Sequence, residues 1–316
     1  MAPTSPVART RTSLALCSPR LFPLPAALCS GLLALLGSAG AHAQTVRSAS
    51  GATAGDAALN AAVSQFRADL GTLNPNIAVS FGSGRREINW DGVPDARSAP
   101  NNLPADFFNV NSPRGAVFST PGTGFQVSAS AASGTPVEFG NIDPSYPGTF
   151  ATFSAQRLFT ALGSNVVDVN FFLPGTATPA LVTGFGSIFS DVDLANTTSI
   201  QLFDAGNVSL GTFFAPNFLD AAGGVTNESL SFLGISYAVP TIARVRITNG
   251  NAALGAGVTD ANGNPNDLVV MDDFLYGEPQ APGQPGGAIP EPGVLVLAGS
   301  GLLPLALVRL RRRLAR

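Results

Sequence analysis

The sequence predicts an all-β protein, an antiparallel β-sandwich or jelly roll with one short N-terminal helix, flanked by an N-terminal signal helix and a C-terminal membrane helix. Three observations predict it. Runs rich in Val, Ile, Phe and Thr recur between turn residues from Ile77 to Gly277. Only one stretch, 56–70, carries apolar residues at helical spacing. Apolar segments beside arginines occupy both ends of the chain.

At the N-terminus, scattered arginines precede an apolar stretch at 26–36 and then Ala41-His42-Ala43 before Gln44. That is the layout of a secretory signal peptide, residues 1–43, with cleavage expected between Ala43 and Gln44. The apolar run is short for a bilayer span, which argues against an uncleaved anchor. Residues 44–76 are expected to be a flexible Ser/Gly/Ala stretch followed by the helix, where Leu59, Ala62, Val63, Phe66 and Leu70 form one face and Asp56 is placed to cap. The β domain spans 77–277, with strands expected at 77–81, 116–119, 125–129, 150–153, 166–173, 181–194, 200–203, 230–237, 245–248 and 268–276. Around Val245 and Ile247 the alternation is clean, with Arg244 and Arg246 on the wet face. A polar, Pro/Asn-rich stretch at 91–113 lacks periodicity and is expected to be a binding loop or a cover. No repeat of solenoid period is present. Pro, Gly and Gln at 278–289 read as a linker that does not pack, and 290–316 form a separate tail.

All 17 basic residues are arginines, against 20 acids. Three arginines lie in the leader and five close the tail, so the body between them is about ten charges negative. That sign speaks against nucleic acid as a partner. The only His (His42) and the only cysteines (Cys17, Cys29) lie in the leader. Once it is removed, disulfides, Cys/His zinc sites, Ser-His or Cys-His catalysis and Schiff bases are excluded. Carboxylates, Tyr, Arg or a hard metal remain for chemistry.

The tail reads Pro290-Glu291-Pro292, an apolar run at 293–308 interrupted by Pro304, and then Arg309, Arg311, Arg312 and Arg313. Clustered arginines directly after an apolar run mark a membrane segment with a cytoplasmic basic end. These three parts, in this order, resemble the PEP-CTERM sorting domain of exported proteins in Gram-negative, exopolysaccharide-producing bacteria. The resemblance implies Sec-dependent export and recognition at Pro-Glu-Pro by an exosortase. It also implies a transient inner-membrane anchor and a destination at the cell surface or in the exopolysaccharide matrix. The same type of segment occurs in proteins labelled ice-binding, a naming link that implies no ice affinity. In the body, 184–193 and 269–277 resemble two strands of carbohydrate-binding jelly rolls, in which an aspartate on the closing strand helps to hold a structural calcium.

Carboxylates are the candidates for a metal. Asp191/Asp193 and Asp272/Asp273 each lie within apolar strand runs, where a buried carboxylate needs a partner, and calcium takes oxygens alone. Solvated strand-end aspartates are the competing reading. The stretch from Asp260 to Asp267 superficially resembles a calcium loop but lacks the glycine at its sixth position and the bidentate glutamate at its twelfth, so it reads as an Asn/Gly turn. Trp90, beside the long loop, is a candidate sugar-stacking contact, although a lone Trp in a Phe-rich chain also suits the core. The expected function is that of a non-catalytic exported surface or matrix protein that binds glycan. The alternative is a secreted glycan hydrolase using paired acids from Glu87, Glu138, Glu228, Glu278 and the aspartates, against which stands the scarcity of Trp and Tyr.

Overall fold

The computed structural model describes residues 43–260 and 265–283. Ala41 and the tail residues Pro290, Glu291, Pro292, Arg309, Arg311, Arg312 and Arg313 lie outside the described residues. Among the described residues no helix is long and apolar enough to cross a membrane.

The architecture is all-β, two antiparallel sheets with few helices, consistent with a sandwich. The strands are β1 (Gln44–Gly51), β2 (Arg85–Ile88), β3 (Ala116–Ser119), β4 (Gly124–Val127), β5 (Phe159–Leu162) and β6 (Val166–Phe171). They continue with β7 (Gly184–Ser190), β8 (Ser199–Phe203), β9 (Ser209–Phe214), β10 (Leu230–Tyr237), β11 (Arg244–Thr248) and β12 (Val270–Gly277). One sheet runs β1-β10-β7-β12-β5-β4, with β2 also pairing with β12; the other runs β3-β6-β11-β8-β9. Alternate residues of both sheets meet in the main core, where Phe159, Phe185 and Phe274 of the first face Phe118, Val169 and Val245 of the second.

The helix α1 (Ala57–Leu70) covers the outer face of the larger sheet. Asp56 Oδ1 accepts from the amides of Ala58 and Leu59, the expected cap, and the predicted apolar face is buried. Phe66 seats over the cross-strand partners Gly186 and Gly234, where an added Cβ would come within 2.7 and 2.8 Å of its ring. Two glycines facing each other are therefore what lets the helix approach the sheet.

Several expectations are corrected. The segment expected to be flexible begins with β1, an edge strand paired along its whole length with β10; its Ser/Ala content hid a strand whose side chains are mostly outside the core. Residues 77–81 form no strand: Ile77 and Val79 are about half exposed, and their amides donate to carbonyls two residues back. Residues 150–153 form none either, because the Ala151 amide donates to Ser190 Oγ and the Phe153 amide to Asp272 Oδ2 rather than to a neighbouring strand. The linker begins later than expected. Glu278 and Gln280 are buried, and Glu278 makes a bidentate ion pair with Arg86 in which both side chains are fully buried. The long loop is packed, since its short helix α2 (Phe107–Val110) contributes Phe107 and Phe108 to the core.

Candidate metal centre

Strand β7 ends at Ser190, and the next residue, Asp191, adopts a left-handed backbone with φ 72°. Its amide donates to the Ser229 carbonyl at 2.8 Å, which fixes the turn. Two residues on, the Asp193 amide donates to Asp267 Oδ1 at 3.0 Å, and Asp267 Oδ2 accepts from the Thr197 hydroxyl. Asp267 thus holds the 191–197 segment against the stretch leading into β12. From that stretch comes Asp260, one of whose oxygens accepts from the Leu268 amide at 2.5 Å.

This places carboxylate oxygens of Asp191, Asp193 and Asp260 within 4.8 Å of one another. Asp191 is completely buried, and both of its oxygens lack a hydrogen-bond partner among the described residues, as does Oδ1 of Asp193. No arginine among the described residues pairs with these acids. Burial first, and then Asp193, Asp260 and Asp267, push the Asp191 carboxyl up to about 9; the nearby Glu228 amide opposes this as the least of the causes. Burial and the neighbouring acids raise Asp193 to about 7 and Asp260 to about 6. Buried like charges repel unless protons or a cation intervene. A set of hard oxygens without nitrogen or sulfur can take a hard divalent cation, with backbone carbonyls or water completing the shell.

Asp272 and Asp273 take no part in this cluster. Between Met271 and Phe274 the pairing with β7 slips, a β-bulge that turns both carboxylates toward Ser154 instead of to opposite faces. Asp272 Oδ2 accepts from the Phe153 and Ser154 amides, and Asp273 lies 3.5 Å from the Arg67 guanidinium. Burial raises the pKa of both, that of Asp272 well above the ordinary carboxylate range with Asp273 adding to it. This is a structural knot with its own donors. Trp90 belongs to the same region and is packed in the core: it is 1 % exposed, stacks on Phe159 at 4.1 Å, and donates from Nε1 to the Asp272 carbonyl at 2.8 Å, while also lining a cavity beside the long loop.

Sequence reasoning therefore named two members of the cluster, Asp191 and Asp193, and missed the third. Asp260 sits at the head of the stretch taken for a plain turn. Its alternating Asp and Asn residues were the available signal, set aside because the spacing matched no contiguous calcium loop. No family model matches this chain, and no curated protein or solved structure matches it significantly.

Proposed function

We propose that this chain is a non-catalytic, exported surface or matrix protein whose β domain is stabilised by a calcium ion held by Asp191, Asp193 and Asp260. The observation that carries the calcium reading is the buried Asp191 carboxylate, both oxygens without a partner, aimed at two further carboxylates. A cage of this kind suits an exported protein, because the outside of a cell supplies calcium and this body has no cysteine to staple it. Supporting export, β1 begins at Gln44, so cleavage after Ala43 would leave the edge strand whole. The Pro-Glu-Pro, apolar and arginine tail would then deliver the domain through an exosortase to an exopolysaccharide-rich surface, where glycan is the expected ligand class.

The test is thermal melting in EGTA and in 1 mM Ca²⁺. With free ion at one hundred times the dissociation constant, linkage adds about 2.7 kcal/mol. For a domain of this size that is a rise of roughly 5–11 °C. Asp191→Asn and Asp260→Asn should abolish it, and Asp273→Asn should not. Equal melting of the wild type in both buffers sinks the calcium reading. N-terminal sequencing of the surface-exposed protein tests export, with Gln44 as the expected first residue.

One observation favours the hydrolase alternative: burial, then the neighbouring Glu228, raises Glu138 to about 7, the range of a general acid. Reducing sugar released by the wild type, and not by Glu138→Gln, would replace the non-catalytic reading.

A further inference from the structure

A cavity of about 330 Å³ opens beside the long loop, walled by Phe107 and Phe108 and rimmed by Asn89, Asn111, Ser112 and Arg114. Its size is that of a small-ligand site taking one ring. Arg114 is its only charged side chain. Seven of the body's arginines are ion-paired with a carboxylate; among the described residues only Arg97, on the surface, and Arg114 are not.

Arg114 is also held in place. Its amide donates to the Phe108 carbonyl at 2.8 Å, and its carbonyl accepts from the Tyr276 hydroxyl at 3.1 Å. The next residue, Gly115, has φ 77°, and an added Cβ there would lie 2.2 Å from the Phe172 carbonyl oxygen. The guanidinium lies over the Phe108 ring at 5.1 Å, and Nη1 donates to Ser112 Oγ. Its Nε is buried and has no partner among the described residues. Burial, with the like charge of Arg86 added, pushes the Arg114 pKa down, while Tyr276 opposes. An arginine stays charged even so. In a body this acidic, a fixed guanidinium without a counter-ion is a demand for an anion.

We propose that this cavity binds a ring-borne carboxylate, with the carboxylate taken by the Arg114 guanidinium and the ring lying against Phe107 and Phe108. A single guanidinium matches one carboxylate in fork geometry and one negative charge, and no second cation lines the cavity to balance a phosphate dianion. An aromatic wall suits the flat face of a ring, and the exposed amides of Asn89 and Asn111 suit hydroxyls at the rim. Two sources carry this chemistry, a uronic acid residue of an acidic glycan and an aromatic acid. The uronate version rests on the glycan-associated reading above; the carboxylate site does not, and neither depends on calcium.

The experiment is calorimetric titration of the full-length chain, in mild detergent and EGTA, with glucuronate against glucose and benzoate against benzyl alcohol. One carboxylate should bind at least tenfold more tightly than its neutral counterpart, and the one that does so identifies the source. Arg114→Gln should lose at least tenfold in that affinity, and Asn111→Asp, which sets a negative charge on the exposed rim, at least threefold with its melting temperature unchanged. Should neither carboxylate be preferred, or should both variants bind as the wild type does, the proposal is overturned. A calcium effect on melting that survives such a result would separate this failure from failure of the metal reading.

Discussion

Glu278 lies one residue beyond β12, in what composition alone marks as linker, and replacing it with alanine should damage the fold severely. Its carboxylate accepts from Arg86 Nε at 2.6 Å, Arg86 Nη2 at 2.9 Å, Asn74 Nδ2 at 2.8 Å and the Phe81 amide at 3.2 Å. Arg86 also donates to the Pro75 and Val79 carbonyls. The pair therefore ties the irregular 74–81 excursion to the end of β12, inside the protein. Glu278→Ala leaves a fully buried guanidinium with two neutral carbonyls, and stranding one partner of such a pair costs about 3–5 kcal/mol. At the usual 2–4 °C per kcal/mol for a domain of this length, the melting temperature should fall by about 6–20 °C. Glu278→Gln keeps the shape and loses the charge, and should lie between that variant and the wild type. The double variant Arg86→Met, Glu278→Leu should recover only part of the loss, because removing both charges removes their desolvation penalty but leaves the Pro75 and Val79 carbonyls and the Phe81 amide without these partners. Calorimetric melting of the full chain reads all three. If Glu278→Ala melts within about 2 °C of the wild type, the buried pair does not anchor this corner and the reasoning is wrong.

Trp90→Ala should cost about 3–5 kcal/mol in a denaturant titration, as expected for a core Trp and not for an exposed sugar platform. Calcium must displace protons from Asp191, Asp193 and Asp260, whose carboxyls are raised to about 9, 7 and 6, so its affinity should rise roughly tenfold or more from pH 6 to pH 8 by titration calorimetry. Burial, and then Asp273, raise the Asp272 carboxyl well above the ordinary range, so Asp272→Asn, with an amide oxygen for the Phe153 and Ser154 donors, should be within about 1 kcal/mol of the wild type at pH 7, whereas Asp272→Leu strands both amides and should cost about 2–4 kcal/mol. The sign of the pH effect follows from a raised folded-state pKa: Asp272 favours folding below the unfolded carboxylate range and loses that contribution as pH rises, so the wild type should gain on Asp272→Asn as pH is lowered from 7 to 5.

Local periodicity made some elements legible in the sequence, although β2, β5 and β9 were not among the expected strands. The helix, its Asp56 cap and its buried face were legible because 3.6-residue spacing and a capping carboxylate are local features. Strand β10 was legible to the residue because its β-branched and aromatic run ends in turns, and β11 because its arginines alternate with Val245 and Ile247. The edge strand β1 was not, since Ser, Gly and Ala carry little strand preference and the pairing is supplied by β10, nearly two hundred residues away in sequence. Residues 77–81 and 150–153 erred the other way. Their apolar content mimics a strand, yet the first has no neighbouring strand and the amides of the second are claimed by Ser190 and Asp272.

The two acid pairs show why the candidate site was only half legible. Asp191/Asp193 and Asp272/Asp273 look alike in sequence, carboxylates embedded in apolar strands, and both are buried. What separates them is who answers the charge. At the β12 bulge the answer comes from within the protein: two backbone amides, the Ser154 hydroxyl and the Arg67 guanidinium, drawn from segments more than a hundred residues upstream of the pair. At the end of β7 the neighbours that fold in are Asp260 and Asp267, two more acids, and Asp267 spends its oxygens on the Asp193 amide and Thr197, leaving Asp191 unanswered. A buried carboxylate without a donor is stable only as the neutral acid or beside a cation. The difference between an inert knot and a candidate metal site therefore lies in long-range partners, which neither residue type nor spacing along the chain encodes.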